Sequence, residues 1–310
     1  MDKLILSRKG FDSSSGYGYS PYDPKTGNYI VLPIPEDKEQ SKGYKYDELL
    51  LEDNYLEGME AKNLRELIED PLMGYSRKTL KIINDAIAHY DPVLGKSPWL
   101  TNGPAFGAFG QSESAAGHLR NHHVKEGSIF LFFSRFKPMK NRVHPLDPRG
   151  AWTEGAYYIY GWLKVGKVIN KSNKDELPAS VREEHPHGSD EDFLRRENNT
   201  LYLAADKLFD DMAIPGCGYF PKLTNELLLS SELHKNKPSI WKVPSFFNED
   251  EYRPTYLNVD KKLEERWLLC PDNTEFCFVQ STGRGQEYVS NLKDKSLQWL
   301  RSLFINRDTI

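Results

Sequence analysis

Apolar residues fall in short runs along the chain, and most of these runs have the length of a single strand. Residues 3–7 predict a buried opening strand. Segments 129–136 and 157–169 are rich in β-branched and aromatic residues, which favours a packed antiparallel pair. The second segment is too long for one flat strand, so Gly161 and Gly166 are expected to mark bends or bulges.

Helical patterns are found in three other segments. Apolar residues recur at helical spacing over 76–90, 112–123 and 296–304. Ser76 can cap the first of these helices, and Pro92 is expected to stop it, because the residue before a proline avoids helical backbone angles. The patterns together predict an α+β fold, or a mixed α/β one, in which helices flank a central and mostly antiparallel sheet.

The length and composition indicate one folded unit. A chain of 310 residues can bury a core of its own, and we expect a single compact domain over residues 1–310. Segment 171–199 is strongly charged and has few large apolar residues, which predicts a surface insertion. Aromatic residues make up 12% of the chain, so stacking partners for a planar ligand such as a base are abundant.

Net charge and cysteine content restrict the cellular compartment and the binding partners that we expect for this chain. The net charge of −4 excludes a generally basic coat protein for nucleic acid, although a local basic groove would be hidden in that sum. The three cysteines form no CxxC motif and no paired framework, which fits a reducing compartment. No apolar run is long enough for a signal peptide or a membrane span, so we expect a cytoplasmic protein without membrane contact.

The opening strand is followed by polar residues that could bind a phosphate. Arg8 and Lys9 supply positive charge at the strand end, and Asp12 and Ser13 follow closely. Cationic side chains and the backbone N–H groups of such a turn bind phosphate oxygens, although the residue order of a P-loop is absent. The alternative interpretation is an ordinary polar junction between a strand and a loop.

Histidines accompany a carboxylate and an amide in the next two candidate sites. His89 and Asp91 could act as acid and base or ligate a metal, or they could be a helix-terminal cation and the turn that follows it. Gln111 offers the donor and the acceptor that recognition of a base edge needs. His118 and His122 lie one helical turn apart, which suits zinc, but no third ligand is evident and no metal site is predicted there.

The last two candidate ligand-binding residues are arginines that lie beside aromatic or glycine residues. Arg135 lies between phenylalanines, and Trp152, Tyr157 and Trp162 follow, a combination that binds bases and phosphates well. Aromatic stripes in strands are, however, more often part of a core. Arg284 lies between two glycines, so a tight turn could present its guanidinium group, or the turn could be purely structural.

Seven short blocks of the chain are informative through the order in which they occur. They read LILSRKGFDSSSG, LPIPE, HYDP, FGQSESAAGHLRNHHVKEGSIFLFF, YYIYGWLKVGKV, NTLYLA and GRGQEYV, and extend from about residue 3 to about residue 289. In this order they resemble the nucleotide modification associated domain 3 family. The resemblance implies a link to modified bases in phage and bacterial DNA. The positions that match the shared blocks are Lys9, Asp12, His89, Asp91, Gln111 and His118.

Two further comparisons qualify this resemblance. The chain departs from the family pattern after LFF, where a Gly-Trp-like pair is expected and Ser134 and Arg135 stand instead. The strand pair KEGSIFLFF and YIYGWLKVGKV is similar to the core of PUA-like and EVE-like domains, which hold a modified base in a cleft. That similarity implies a PUA-like barrel for the central sheet, and it concerns architecture alone.

Three functions are therefore considered. The first is an enzyme that acts on a nucleotide or on a base in DNA; the motifs GxSxG, HExxH and GxGxxG are absent, so serine hydrolase, zincin and Rossmann chemistry have no support. The second is a non-catalytic reader of modified bases with an aromatic cage, and the third is a structural subunit of a modification or defence complex. The predicted catalytic residues are Asp12, His89, Asp91 and His118, and the predicted ligand-binding residues are Arg8, Lys9, Ser13, Gln111, Arg135 and Arg284.

Overall fold

The computed structural model describes residues 1–12, 15–37, 43–139, 155–257, 263–270, 273–282 and 286–305. The strands are β1 (Lys3–Arg8), β2 (Ser20–Tyr22), β3 (Ile34–Asp37), β4 (Tyr44–Lys45), β5 (Ala86–His89), β6 (Val93–Leu94), β7 (Gly107–Gln111), β8 (Ile129–Pro138), β9 (Ala156–Ile169), β10 (Thr200–Ala204), β11 (Cys217–Tyr219), β12 (Ile240–Pro244), β13 (Trp267–Cys270), β14 (Asn273–Gln280) and β15 (Glu287–Asn291). The α-helices are α1 (Leu64–Glu69), α2 (Arg77–Asp85), α3 (Glu113–Asn121), α4 (Ala179–Glu184), α5 (Asp190–Arg195), α6 (Leu263–Arg266) and α7 (Asp294–Ile305).

A nine-stranded mixed sheet forms the centre of the molecule. Its main path runs β15-β1-β8-β9-β10-β7-β6, and β2 and β11 pair with β8 and β9 off that path. β8 is parallel to β1 and to β2, whereas the other pairs in this sheet are antiparallel. Two three-stranded sheets, β12-β14-β13 and β3-β5-β4, complete the described strands. The fold is therefore a sheet-dominated α+β fold, but the described strands do not close into a barrel, and a PUA-like barrel is not confirmed.

The aromatic strands β8 and β9 form the predicted antiparallel pair. Phe132 pairs with Gly161 while Phe133 pairs with Ile159, so Tyr160 is an extra residue on β9 and forms a bulge. A second register shift, against β10, leaves Gly166 unpaired in the same way. The expected irregularity at Gly166 is confirmed, whereas the other one falls one residue before Gly161. Residues 140–154, between these two strands, lie outside the described residues.

The helix predicted over 76–90 is too long. α2 ends at Asp85, and the chain continues directly as β5, which pairs with β3 on one side and β4 on the other. Two strand partners satisfy the backbone groups of this segment, so the sheet outweighs the helical spacing of its apolar residues. Ser76 does cap the helix, since its side chain accepts a hydrogen bond from the Thr79 amide. His89 thus lies at the end of a strand, and its interpretation as a helix-terminal cation is wrong.

The other two predicted helices are present as α3 and α7. Among the described residues, no helix combines the length and the apolar character needed to cross a membrane. Neither Cys217 nor Cys277 forms a disulfide bond within the described part of the chain.

A separate apolar cluster joins the segment after β9 to the sheet. It consists of Ala108, Ile169, Leu177, Val181, Phe193 and Leu201, all buried. Residues from α4 and α5 therefore pack on the face of β7 that carries Ala108. Because side chains alternate along a strand, Gly110 belongs to this same face, whereas Phe109 and Gln111 belong to the opposite one.

Candidate functional site

Four residues from distant parts of the chain, all with buried side chains, form a His–Asp cluster that comprises His89, Asp91, His185 and His187. His89 ends β5, and Asp91 follows two residues later. The two other histidines lie in the turn between α4 and α5, which packs on β7. The cluster is therefore built where the β3-β5-β4 sheet, the main sheet and the α4–α5 segment meet.

Asp91 is fixed by two hydrogen bonds to one carboxylate oxygen. The register of β6 and β7 ends at Val93 and Ala108, so the amide of Gly110 is free to donate to Asp91 Oδ1, at 2.9 Å. His185 Nε2 donates to the same oxygen at 3.1 Å, because Nδ1 of His185 already accepts the amide of His187. Burial alone would raise the pKa of Asp91, but the hydrogen bond with His185 and the nearby imidazole of His89 hold that pKa well below its usual range. The carboxylate is thus ionised, and its second oxygen lies 3.8 Å from Nε2 of His89.

His89 is held between two carboxylates. Its Nδ1 lies 2.5 Å from Glu36 Oε2, and Arg196 donates to the other oxygen of Glu36 at 2.9 Å. Burial opposes a charge on the ring, but the nearby carboxylates of Asp91 and Glu36 raise the pKa of His89 to about 9. The ring orientation is therefore set by Glu36, and Nε2 is directed to Asp91.

His187 is fixed in the opposite protonation state. Its Nδ1 donates to Asn199 Oδ1 at 2.7 Å, and Asn199 Nδ2 donates in return to the carbonyl of His187 at 2.9 Å. Burial, followed by the nearby charge on His89, lowers the pKa of His187 to about 3. The ring is neutral, and Nε2 retains its lone pair. The ring also packs directly on Gly110, where an added Cβ would lie 2.4 Å from Cδ2 of His187.

Three members of the cluster have the arrangement of metal ligands. One ligand-type atom from each of His89, Asp91 and His187 lies within 4.8 Å of the corresponding atoms of the other two residues. Among the described residues, this is the group of three histidine, cysteine or acidic side chains that meets the criterion. Two imidazoles with different protonation states and an ionised carboxylate could serve proton transfer, or the same atoms could bind a cation.

A small cavity borders Asp91 on the side of the main sheet. Its volume of about 20 Å³ has room for one water-sized ligand. Tyr90, Tyr160 and Tyr219 line it. The hydroxyl group of Tyr160 is buried and has no hydrogen-bond partner among the described residues. Burial, and then the charge of Asp91, raises the pKa of Tyr160 well above its ordinary value.

A second buried group lies on the other face of β7, and we term Lys9, Gln111 and Glu287 the Lys9 group. Lys9 Nζ contacts Glu287 Oε1 at 3.0 Å, and Gln111 Nε2 donates to the same oxygen at 2.7 Å. The ammonium group also lies 4.5 Å from the centre of the Phe109 ring. The other carboxylate oxygen of Glu287 is buried and has no partner in the part of the chain that is described.

The remaining predicted site residues take other positions. Asp12 accepts the amide of Ser15 at 2.7 Å and lies 3.6 Å from Arg8, so it stabilises the turn after β1. His118 hydrogen bonds with Thr255 at 2.9 Å, and its ring lies against that of His122 as the spacing predicts. The catalytic or ligand-binding roles of these residues stay predictions.

The last three predicted ligand-binding residues are Arg135, Ser13 and Arg284. Arg135 lies in β8 opposite Tyr157. Ser13 and Arg284 lie outside the described residues.

The proposed aromatic cage is not formed by its two described members. Tyr157 packs against Phe133 and Trp241. Trp162 is buried against Phe220 and Phe304 instead, and its indole N–H donates to a backbone carbonyl. The third predicted member, Trp152, lies outside the described residues.

Sequence reasoning missed half of the His–Asp cluster. His185 and His187 lie in the segment interpreted as a charged surface insertion, and Asn199 closes that segment. One signal was available, since two histidines around a proline are unusual in a segment otherwise dominated by lysine, arginine and acidic residues. Glu36, which orients His89, was also present in the LPIPE block but carried no distinguishing pattern.

Fold and site together define a mixed-sheet α+β protein with a buried cluster of histidine and aspartate side chains beside the sheet. A family model described as nucleotide modification associated domain 3 matches residues 3–291, and the chain belongs to that family. No curated protein and no solved structure matches the chain. The family name links the chain to nucleotide modification.

Proposed function

We propose that the chain is an enzyme that modifies a nucleotide or a base in DNA, and that the His–Asp cluster is its active centre. The observation that carries this proposal is the convergence of the Asp91 carboxylate and three histidines from distant segments in one cluster of buried side chains. Buried charges reduce stability unless they are fully paired, and groups with strongly shifted pKa values concentrate at functional sites.

A cleft beside the cluster supports binding of a nucleotide. It has a volume of about 550 Å³, within the range of about 300–1,000 Å³ typical of small-molecule sites. Asn199 and Arg196 line the cleft and also contact His187 and Glu36, so the cleft adjoins the cluster. Arg120 and Lys171 add positive charge, which suits the phosphate groups of a nucleotide.

The alternative of a non-catalytic reader has less support, because Tyr157 and Trp162 contact different parts of the core. A structural subunit would need a contiguous exposed apolar patch. Large exposed apolar residues of the described chain, such as Leu50, Leu194 and Leu233, lie in separate segments.

Mass spectrometry tests the proposal by identifying the nucleotides that the chain binds and the nucleosides that it alters in cells. Wild-type protein is isolated from the expressing cells, and its bound nucleotides are identified, together with the nucleosides of digested cellular DNA. We expect a bound nucleotide, and a nucleoside of altered mass that is lost with Asp91→Asn. The exposed Asp210 provides a matched control, and Asp210→Asn is expected to retain the altered nucleoside. A bound modified nucleotide without any altered product, unchanged by Asp91→Asn, would favour the reader.

A further inference from the structure

We infer that the His–Asp cluster binds a single Zn²⁺-class divalent ion through Nε2 of His89, Oδ2 of Asp91 and Nε2 of His187. The inference deepens the proposed function. It rests on that function only for the role of the ion, whereas the binding of the ion is argued from the structure alone. Each of the three ligand atoms is the one left after the other polar atom of the same side chain has found a partner.

The partners are those found around metal ligands. Histidine ligands usually donate their second N–H to a carboxylate or a carbonyl oxygen, which fixes the ring and strengthens the ligand nitrogen. His89 has Glu36 in that position, at 2.5 Å, and His187 has Asn199, at 2.7 Å. Asp91 keeps Oδ1 for the Gly110 amide and His185, so Oδ2 is the free ligand oxygen.

The distances allow a metal after a small contraction. Zinc bonds of about 2.0–2.1 Å place tetrahedral ligand atoms about 3.3 Å apart. Nε2 of His89 and Oδ2 of Asp91 are separated by 3.8 Å, and the three ligand-type atoms fall within 4.8 Å of one another. Side-chain rotations would have to shorten the His89–Asp91 separation by about 0.5 Å and any other pair by at most about 1.5 Å. The ion would take the place of the proton that His89 otherwise directs toward Asp91.

The number and type of ligands indicate the class of metal and of site. Two imidazoles and one carboxylate suit zinc and related transition ions, whereas Mg²⁺ prefers oxygen ligands and waters. His185 cannot be a fourth ligand in this arrangement, because Nε2 donates to Asp91 and Nδ1 accepts the His187 amide. Three protein ligands with an open fourth position are characteristic of catalytic zinc, and four of structural zinc.

The open position has a chemical use in the proposed enzyme. A bound ion of this class lowers the pKa of a coordinated water or polarises an oxygen of the substrate. The cavity beside Asp91 has room for one water-sized ligand, and the unpartnered hydroxyl of Tyr160 lies in its wall. Glu36 and Asn199 would then hold the rings of His89 and His187 in place without touching the reacting atoms.

The test is a metal titration of the full chain, without an affinity tag and after removal of metals with EDTA. Isothermal titration calorimetry with Zn²⁺ is expected to show one site per chain, and Mg²⁺ is expected to show none. Co²⁺, which replaces zinc and absorbs visible light, should give a spectrum of low coordination number. Asp91→Asn and His187→Gln should each weaken Zn²⁺ binding by about 100-fold or more, since loss of a residue that only supports a ligand already costs about 10–100-fold.

Matched controls separate the cluster from other ligands. His123 and Asp210 are exposed, and His123→Asn and Asp210→Asn should change the affinity by no more than about 2-fold. Absence of a stoichiometric zinc site in the folded wild-type chain would overturn the inference. So would a site that survives both cluster variants or is lost with His118→Gln. If zinc does not bind but Asp91→Asn still abolishes nucleotide modification, the metal inference fails and the proposed function stands.

Discussion

The His–Asp cluster and the Lys9 group lie on opposite faces of the same strand, one at Gly110 and the other at Gln111, and both are buried and charged. In the Lys9 group, the donors Lys9 and Gln111 converge on one carboxylate oxygen of Glu287. In the His–Asp cluster, Nδ1 of His89 and Nδ1 of His187 are directed outward to Glu36 and Asn199, and a ligand-type atom of each ring lies near the Asp91 carboxylate. The placement of the polar atoms, rather than buried charge itself, therefore separates a site that neutralises itself from one that can receive a cation.

The largest expected effect on stability is in the Lys9 group. Lys9→Met leaves Glu287 buried without its cation, and breaking a buried pair in this way reduces the free energy of unfolding by about 3–5 kcal/mol. The double variant Lys9→Met with Glu287→Gln removes both charges and should recover most of that loss, which chemical denaturation followed by circular dichroism measures. Lys62, whose pair with Asp53 is exposed, is the control, and Lys62→Met should leave stability almost unchanged. A double variant as unstable as the single one would show that Glu287 is not balanced by Lys9.

The next largest effect is expected at Gly110, on the face of β7 that carries the His–Asp cluster. Gly110→Ala places a Cβ into the His187 ring and should displace that ring, lowering Zn²⁺ affinity by about 10–100-fold. Gly117 of α3 has room for a Cβ, with its nearest neighbour at 3.9 Å. Gly117→Ala should therefore retain the affinity and raise the free energy of unfolding by about 0.5–1 kcal/mol. Equal zinc affinities of the two variants in calorimetry would contradict the position assigned to His187.

The smallest of the three effects concerns the support of His89. Glu36→Gln keeps the shape of the side chain and removes its charge, so Zn²⁺ affinity should fall by about 10-fold. Asp37 lies next to it on β3 and is exposed, and Asp37→Asn serves as the matched control. Competition with a chromophoric zinc chelator measures both affinities. A loss as large with Asp37→Asn as with Glu36→Gln would indicate a general effect of charge instead of the contact with His89.

The sequence predicted the parts of the fold that depend on local pattern. The aromatic runs of β8 and β9 and the helical spacing of α3 and α7 were sufficient, because each pattern agrees with the structure around it. At residues 86–90 the helical spacing was misleading, since pairing of β5 with two strands decides the backbone there. Such long-range pairing leaves no mark in a window of ten residues.

The candidate site was predicted only where its residues are neighbours in the chain. His89 and Asp91 lie two residues apart and were identified, whereas His187 and Asn199 reach the cluster through the packing of α4 and α5 on β7. The charged composition of 171–199 concealed this, because the few apolar residues of that segment are the ones that pack on the sheet. Glu287 was likewise hidden, since its partner Lys9 lies 278 positions away.

The most direct test of the account is diffraction from crystals of the full chain grown with Zn²⁺, measured on both sides of the zinc absorption edge. The account predicts one strong anomalous peak in the cluster, about 2.0–2.2 Å from nitrogen atoms of His89 and His187 and an oxygen of Asp91. It predicts no peak in the Lys9 group. A fully occupied zinc at another set of ligands, or crystals that contain no bound zinc, would contradict the assignment of the His–Asp cluster as a metal centre.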